Sequence, residues 1–232
     1  MNADIHEMRG QPEMHIHLRR ARRSDVAALE GLIAESFRGL GSGHYSQRQI
    51  DSGLRHIAGV DTDLIDDGTF FAAEAGGSIV ACGGWSRRRR TFGSPDNTPA
   101  TDGELLDLAA DAAGLRSFYV RPRWARRGLG SRIYRRCEAE ARAAGFTRLR
   151  LVATGPGEPL YTALGFRVLG RTEFTCPDGV TLVGTVMEKD LDAPPSRGRR
   201  RGDSSAPAPG GRFQSWRNVE IGSTRVARRA GT

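Results

Sequence analysis

Lysine, cysteine and long apolar runs are all scarce in this 232-residue chain. The two most apolar stretches, residues 69–75 and 78–85, are broken by Glu74 and by glycines and fall far short of the ~20 residues that span a bilayer, so no membrane partner is expected. The first ten residues, MNADIHEMRG, lack the apolar core of a signal peptide, and a cytoplasmic location is expected. Cys82, Cys137 and Cys176 are too few and too scattered for a disulfide framework, and an odd number leaves one unpaired in any case. His15 and His17 share a strand face, but no cysteine or third ligand stands at metal spacing, so no metal site is expected.

What the chain has in excess is arginine. Lys189 is the single lysine among 35 basic residues, and the formal net charge is +8 with a pI near 10.3. Residues 191–232 carry nine arginines against Asp192, Asp203 and Glu220, a surplus of six that leaves only +2 for residues 1–190. The body is therefore nearly neutral, and a nucleic-acid partner is conceivable only through the C-terminal segment. That segment is rich in Pro, Gly, Ser and Arg and has no apolar period, so residues 192–232 are expected to form a disordered tail, with residues 1–14 a shorter disordered lead.

Between them, residues 15–191 change hydrophobic period in a definite order. Residues 15–21 alternate as a strand; Ser24 and Asp25 can cap a helix that carries Val26, Leu29, Leu32, Ile33 and Phe37 on one face. Ser46 and Gln49 resemble a capping box for a second helix over residues 46–57. Two strands, 69–75 and 78–85, flank Gly76-Gly77 as an antiparallel hairpin, and residues 87–113 read as a long irregular connection. A strand at 115–120 stops at Pro122, a helix follows over 130–144, and Gly145-Phe146 closes it. A strand at 148–153, a short helix at 159–164 closed by Gly165-Phe166, and a hairpin of 168–176 with 180–188 around Pro177-Asp178-Gly179 complete the order βααβββαβαββ. The fold class is α/β (α+β).

The segment FYVRPRWARRGLGS, residues 118–131, joins a strand to a helix through a basic, glycine-bearing loop. A helix N-terminus offers unpaired N–H groups and a positive partial charge, which suits an anion. Gly128 and Gly130 would let the backbone approach a phosphate, with Arg126 and Arg127 adding charge; a turn needing glycine for its own φ angles fits the same spacing. A Walker A loop is excluded because no lysine follows the glycines, and a dinucleotide fingerprint fails because Ile133 stands where its third glycine belongs.

Val120-Arg121-Pro122 followed by Gly128-Leu129-Gly130 resembles motif A of the GNAT superfamily of acetyl-CoA-dependent N-acetyltransferases, with Ala125 at the position where the family carries Arg or Gln. Tyr161-Thr162-Ala163-Leu164-Gly165-Phe166 resembles the family's second motif, Y-x-x-x-G-F. The resemblance spans residues 15–191 and implies a mixed, mostly antiparallel twisted sheet flanked by helices. It implies acetyl-CoA as co-substrate, its pyrophosphate on the amides of Arg126, Arg127, Gly128, Leu129, Gly130 and Ser131, and its arm along Phe118 and Val120. The resemblance also implies direct acetyl transfer to a primary amine, of a small molecule or, as the weaker expectation, of a protein, with Tyr161 as the proton donor to the departing thiolate. A phenol near pKa ~10 is a workable acid for a thiolate whose thiol has pKa ~8.5.

The base is left open: Glu74 and Asp107 are the nearby candidates, each equally readable as a solvated carboxylate. His44, Tyr45 and Trp85 fall where the family shapes its acceptor pocket. The run from Arg87 to Arg90 reads as a solvated, self-repelling loop or as a phosphate contact. Cys82 and Cys137 read as small buried hydrophobes. The competing reading is a degenerate CoA-binding module whose basic tail docks on nucleic acid. Homodimers formed through the terminal hairpin are compatible with the resemblance.

Overall fold

The computed structural model describes residues 15–89, 103–191 and 219–220. The expected lead, and all of the expected tail except two residues, lie outside the described residues. The elements are β1 (His17–Arg20), α1 (Val26–Gly41), α2 (Gln47–His56), α3 (Thr62–Asp66), β2 (Phe70–Ala75), β3 (Ser78–Ser86), β4 (Ala113–Val120), α4 (Leu129–Ala143), β5 (Arg148–Ala153), α5 (Glu158–Ala163), β6 (Arg167–Thr175), β7 (Thr181–Asp190) and β8 (Val219–Glu220). They form one sheet in the order β1-β2-β3-β4-β5-β7-β6-β8. Only β4 with β5, and β6 with β8, run parallel; the other neighbours are antiparallel.

Strand alternation divides the core between the two faces of the sheet. In β2, Phe71, Ala73 and Ala75 join Leu129, Ile133, Cys137 and Ala141 of α4, whereas Phe70 and Ala72 join Leu29, Leu32 and Ile33 of α1. The four-residue spacing of the α4 set and the stripe on α1 are the faces that the sequence pattern predicts. A third cluster joins Phe37 and Ile50 to Cys176, Val180 and Leu182, tying α1 and α2 to the last hairpin.

Local chemistry explains most of the boundaries. Ser46 Oγ accepts the Gln49 N–H at 3.3 Å and Gln49 Oε1 accepts the Ser46 N–H at 3.0 Å, so the capping box forms. Phe146 N–H donates to Ala141 O at 3.1 Å and Gly145 N–H to Arg142 O at 2.9 Å; Phe166 and Gly165 repeat both bonds at the end of α5. These are the two closures expected from each Gly-Phe pair. Gly76 and Gly77 both have positive φ, 54° and 74°, the shape that matches the twist of a two-residue hairpin.

Three features depart from expectation. Asp25 does not cap α1: residues Arg23–Asp25 form a 3₁₀ turn, and the Asp25 carboxylate accepts from Arg22 N–H at 2.7 Å and pairs with Arg19 at 2.7 Å. A charge-assisted bond to a guanidinium outcompetes a neutral helix amide, and that guanidinium holds the Asp25 carboxyl below its ordinary range. A short helix, α3, appears where none is expected, started by Asp61 accepting the Leu64 N–H at 3.4 Å. Val219 and Glu220 of the expected tail pair with Phe174 and Thr175 of β6.

Pairing between β4 and β5 lasts for only two residues, Ala113 with Leu149 and Gly114 with Arg150, although the strands contain eight and six residues. Beyond Gly114 the two strands part. β4 also carries a bulge: Gly84 faces Arg116 while Cys82 faces Tyr119, so three steps on β4 match two on β3. Ser117 takes a positive φ of 58° there. The bulge reverses the alternation, so Phe118 and Val120 share the α4 face with Leu115, and Tyr119 packs toward α1 and α2.

Asp67 is bound by Arg88 through two bonds of 2.7 Å, and this holds its carboxyl below the ordinary range. A depressed folded pKa contributes stability that is present above the ordinary carboxylate value of about 4 and is lost as pH falls through the lower folded value. Asp67→Asn should therefore flatten the acid limb of stability measured by urea denaturation between pH 3 and 7. An unchanged acid limb would remove this pair from the acid response.

Candidate active site

The parting of β4 from β5 creates the site. Ser117 and Phe118 have no ladder partner in β3 or in β5, although the Ser117 carbonyl accepts the Cys82 thiol of β3 at 3.5 Å, so the strand edge is open to a gap on the β5 side beyond Gly114. Across it Tyr161, on α5, meets the Phe118 ring edge-on with centroids 6.1 Å apart and meets Phe166 at 5.7 Å. The Phe118 ring in turn lies flat against Gly83, where an added Cβ would come within 2.9 Å of it.

The loop after β4 tightens through a 3₁₀ turn at Pro122–Trp124 and two residues of positive φ, Arg126 at 63° and Gly128 at 77°, before α4 begins. Ala125 N–H donates to Pro122 O and Arg132 N–H to Gly128 O; between them, the amides from Arg126 to Ser131 make no hydrogen bond among the described residues. Six consecutive N–H groups at the start of a 15-residue helix have the geometry that suits an anion. Arg127 stacks over the buried Trp124 ring at 5.1 Å. Arg123, Arg126, Arg127 and Arg132 form no ion pair with an acid among the described residues.

The two glycines play different parts. Gly128 has open space around it and needs its left-handed φ, whereas a Cβ at Gly130 would meet only the end of the Leu160 side chain, at 2.9 Å.

The arginine run at 87–90 behaves otherwise. Arg88 is bound by Asp67 and Arg89 pairs with Asp111 at 2.9 Å, so the stretch, though exposed at Arg87 and Arg89, is held by acids and does not simply repel itself; Arg90 lies outside the described residues. Glu74 is paired with Arg19 at 2.5 Å, which lowers its pKa, and Asp107 accepts the Ala109 N–H at 2.8 Å. Neither is placed at the gap as a free base. Burial pushes the Cys82 thiol up to about 12 and raises the Cys137 thiol as well, so both are neutral hydrophobes at pH 7.

His44 and Tyr45 are brought to the gap by the α1–α2 turn. Tyr45 stacks on Phe37 at 6.1 Å and its hydroxyl accepts the Gly155 N–H at 3.0 Å, while an added Cβ at Gly155 would come within 2.7 Å of His44 Nδ1. The β5–α5 turn thus touches both these residues and, through Gly157, Tyr161. Trp85 is not with them. It lies opposite Leu115 at the paired end of β4, is 4% exposed, packs on Phe146 and donates Nε1–H to Glu140 at 3.3 Å. It is a core residue beneath α4, because position 85 of β3 faces that helix. Tyr119 and Ser36, by contrast, stand at the gap and carry no recognisable sequence signal.

The profile of the acetyltransferase (GNAT) family matches residues 26–166, more than half of the chain. The chain belongs to this family. No curated protein matches it. Among solved structures, PaiA N-acetyltransferase of Thermoplasma acidophilum, in complex with coenzyme A, is 17% identical with a TM-score of 0.53, over 76% of this chain and 99% of that one. YncA of Salmonella typhimurium, solved with its cofactor acetyl-CoA, is 19% identical with a TM-score of 0.51, over 84% and 98%. A GCN5-related N-acetyltransferase of Rhodopseudomonas palustris is 19% identical with a TM-score of 0.56, over 78% and 99%. These likenesses establish the GNAT fold, and the matched span begins at α1 and ends at Phe166, so both motifs fall within it.

In this GNAT site, Gly128→Ala should cost about 1 kcal/mol through its left-handed φ, while Gly130→Ala, which a swing of Leu160 can accommodate, should cost less than that. Thermal denaturation of the two variants checks the order; a greater loss at Gly130 would make packing against Leu160 the stronger constraint.

Proposed function

We propose that this acetyltransferase moves an acetyl group from acetyl-CoA to a primary amine of a small molecule. The observation that carries the reading is the run of six unbonded amides from Arg126 to Ser131, flanked by unpaired arginines, at the end of a strand whose partner has turned away. No acid among the described residues competes for these arginines, and the gap beside Phe118 continues from the same loop. The residues fit the cofactor: the amides and Arg126 and Arg127 would hold its pyrophosphate, and the backbone of Phe118, beside the bulge, would offer groups to its arm.

Bound acetyl-CoA supplies an activated acyl thioester. Transfer forms a C–N bond, breaks the C–S bond, and requires one proton to leave the amine and one to reach the sulfur. Tyr161 is suited to the second. Its hydroxyl makes no hydrogen bond among the described residues, and burial raises its pKa above the ordinary phenol value, so it stays protonated and available as a donor at neutral pH. His44 and Tyr45 border the opposite side of the gap, where the acceptor would enter, and the Tyr45–Gly155 bond fixes the spacing between the two turns that frame it.

Tyr161→Phe should lower kcat by about a hundredfold, the usual order for a lost general acid, with acetyl-CoA affinity nearly unchanged. Because the phenol pKa is raised, ionisation of Tyr161 should not reduce kcat/KM of the parent protein below pH ~10. Thiol release with a panel of primary amines reads both quantities. Equal turnover in the two proteins removes Tyr161 from the chemistry; no binding of acetyl-CoA at millimolar concentration refutes the cofactor assignment itself. Truncation after Leu191 should leave acetyl-CoA affinity intact, and a loss there would make the C-terminal segment part of the site.

A further inference from the structure

We infer that the Ser36 hydroxyl is a hydrogen-bond donor to the arm of the cofactor lying in the gap between β4 and β5, an inference that rests on the cofactor reading above. Arg121 N–H bonds to Val80 O of β3 at 2.9 Å. Amides alternate in direction along a strand, so the N–H of Val120 points away from β3, to the side that β5 has left. An extended ligand there would pair with it as an added strand does. The position is already taken: Val120 N–H donates to Ser36 Oγ at 3.3 Å.

Ser36 is 4% exposed on α1 and is held firmly against this junction. Its neighbour Glu35 pairs with Arg121, whose Nε donates to Ile79 O at 2.9 Å, and one turn later Gly39 approaches so closely that a Cβ would collide with the Pro122 ring. A hydroxyl has one proton to donate besides its lone pairs. In accepting from Val120 the Ser36 oxygen uses a lone pair, and its proton finds no acceptor among the described residues, not even the Leu32 carbonyl one turn back. A buried donor left unused beside an open gap is matched by a carbonyl oxygen, and the amide carbonyls of a pantetheine arm supply that group. Ser36 relays the Val120 N–H outward, so the ligand is read by a side chain on α1 where an unmodified strand edge would read it by its backbone.

Titration calorimetry on the full chain, with acetyl-CoA and with 3′-phospho-ADP, the nucleotide part of CoA without its arm, tests this. Ser36→Ala should weaken acetyl-CoA binding about fivefold, the scale of one neutral hydrogen bond, and leave 3′-phospho-ADP binding unchanged. Ser36→Thr, which keeps the hydroxyl, should restore acetyl-CoA affinity. Undiminished acetyl-CoA affinity in Ser36→Ala overturns the inference while leaving the cofactor reading standing. Equal losses for the two ligands also overturn it, since they mark a disturbed fold. A parent protein that binds neither ligand overturns the cofactor reading and this inference with it.

Discussion

Two residues of parallel pairing hold β4 to β5, and the rest of the site follows from that shortness. A sheet normally satisfies the backbone groups of its inner strands. Once β5 leaves after Gly114, β4 has polar groups that need other partners. The bulge at Ser117 turns Phe118 and Val120 to the α4 face, α1 reaches in with Ser36, and the chain passes directly from the freed strand into the unbonded amides that open α4. Had β5 continued to pair along β4, its backbone would occupy the edge of β4 that is now open beyond Gly114.

Charge is organised by the same logic. A net +8 looks like a surface property, yet among the described residues most arginines away from the loop are spent on neighbours. Arg19 lies between Asp25 and Glu74, Arg88 is bound by Asp67, and Glu188, 3% exposed in the middle of the sheet, is neutralised by Arg150 and Arg167. Even the single lysine is committed, to the Tyr134 hydroxyl and Glu138. Four arginines that pair with no acid among the described residues, Arg123, Arg126, Arg127 and Arg132, flank the start of α4. Pairing of an arginine at this density costs little and leaves the remaining field concentrated where six amides already point.

How much was legible in the sequence depended on the range of the interaction concerned. The Ser46–Gln49 box, the Gly-Phe closures of α4 and α5, the Gly76-Gly77 turn and the apolar stripe of α4 each involve residues within five positions of one another, and each was readable. Asp25 misled because its stronger partner, Arg19, sits on a neighbouring element, and the acid pairing of Arg88 and Arg89 was hidden because Asp67 and Asp111 lie about twenty residues away on either side. Trp85 misled for a further reason: a strand residue's face is known only when the covering helix is known. Tyr119 and Ser36 could not be found at all, since a bulge of one residue and a contact spanning 84 positions leave no local pattern.

By itself the sequence determined the family, the order of elements apart from α3 and β8, and the place of the glycine-bearing loop that opens α4, because each is written in short-range spacing and in two motifs at a set separation. Only the tertiary structure decided which arginines are free, which side of β4 each side chain occupies, and which hydroxyl stands at the gap. Those depend on strand register and on partners far apart in the chain, and a one-residue bulge is enough to exchange the two faces.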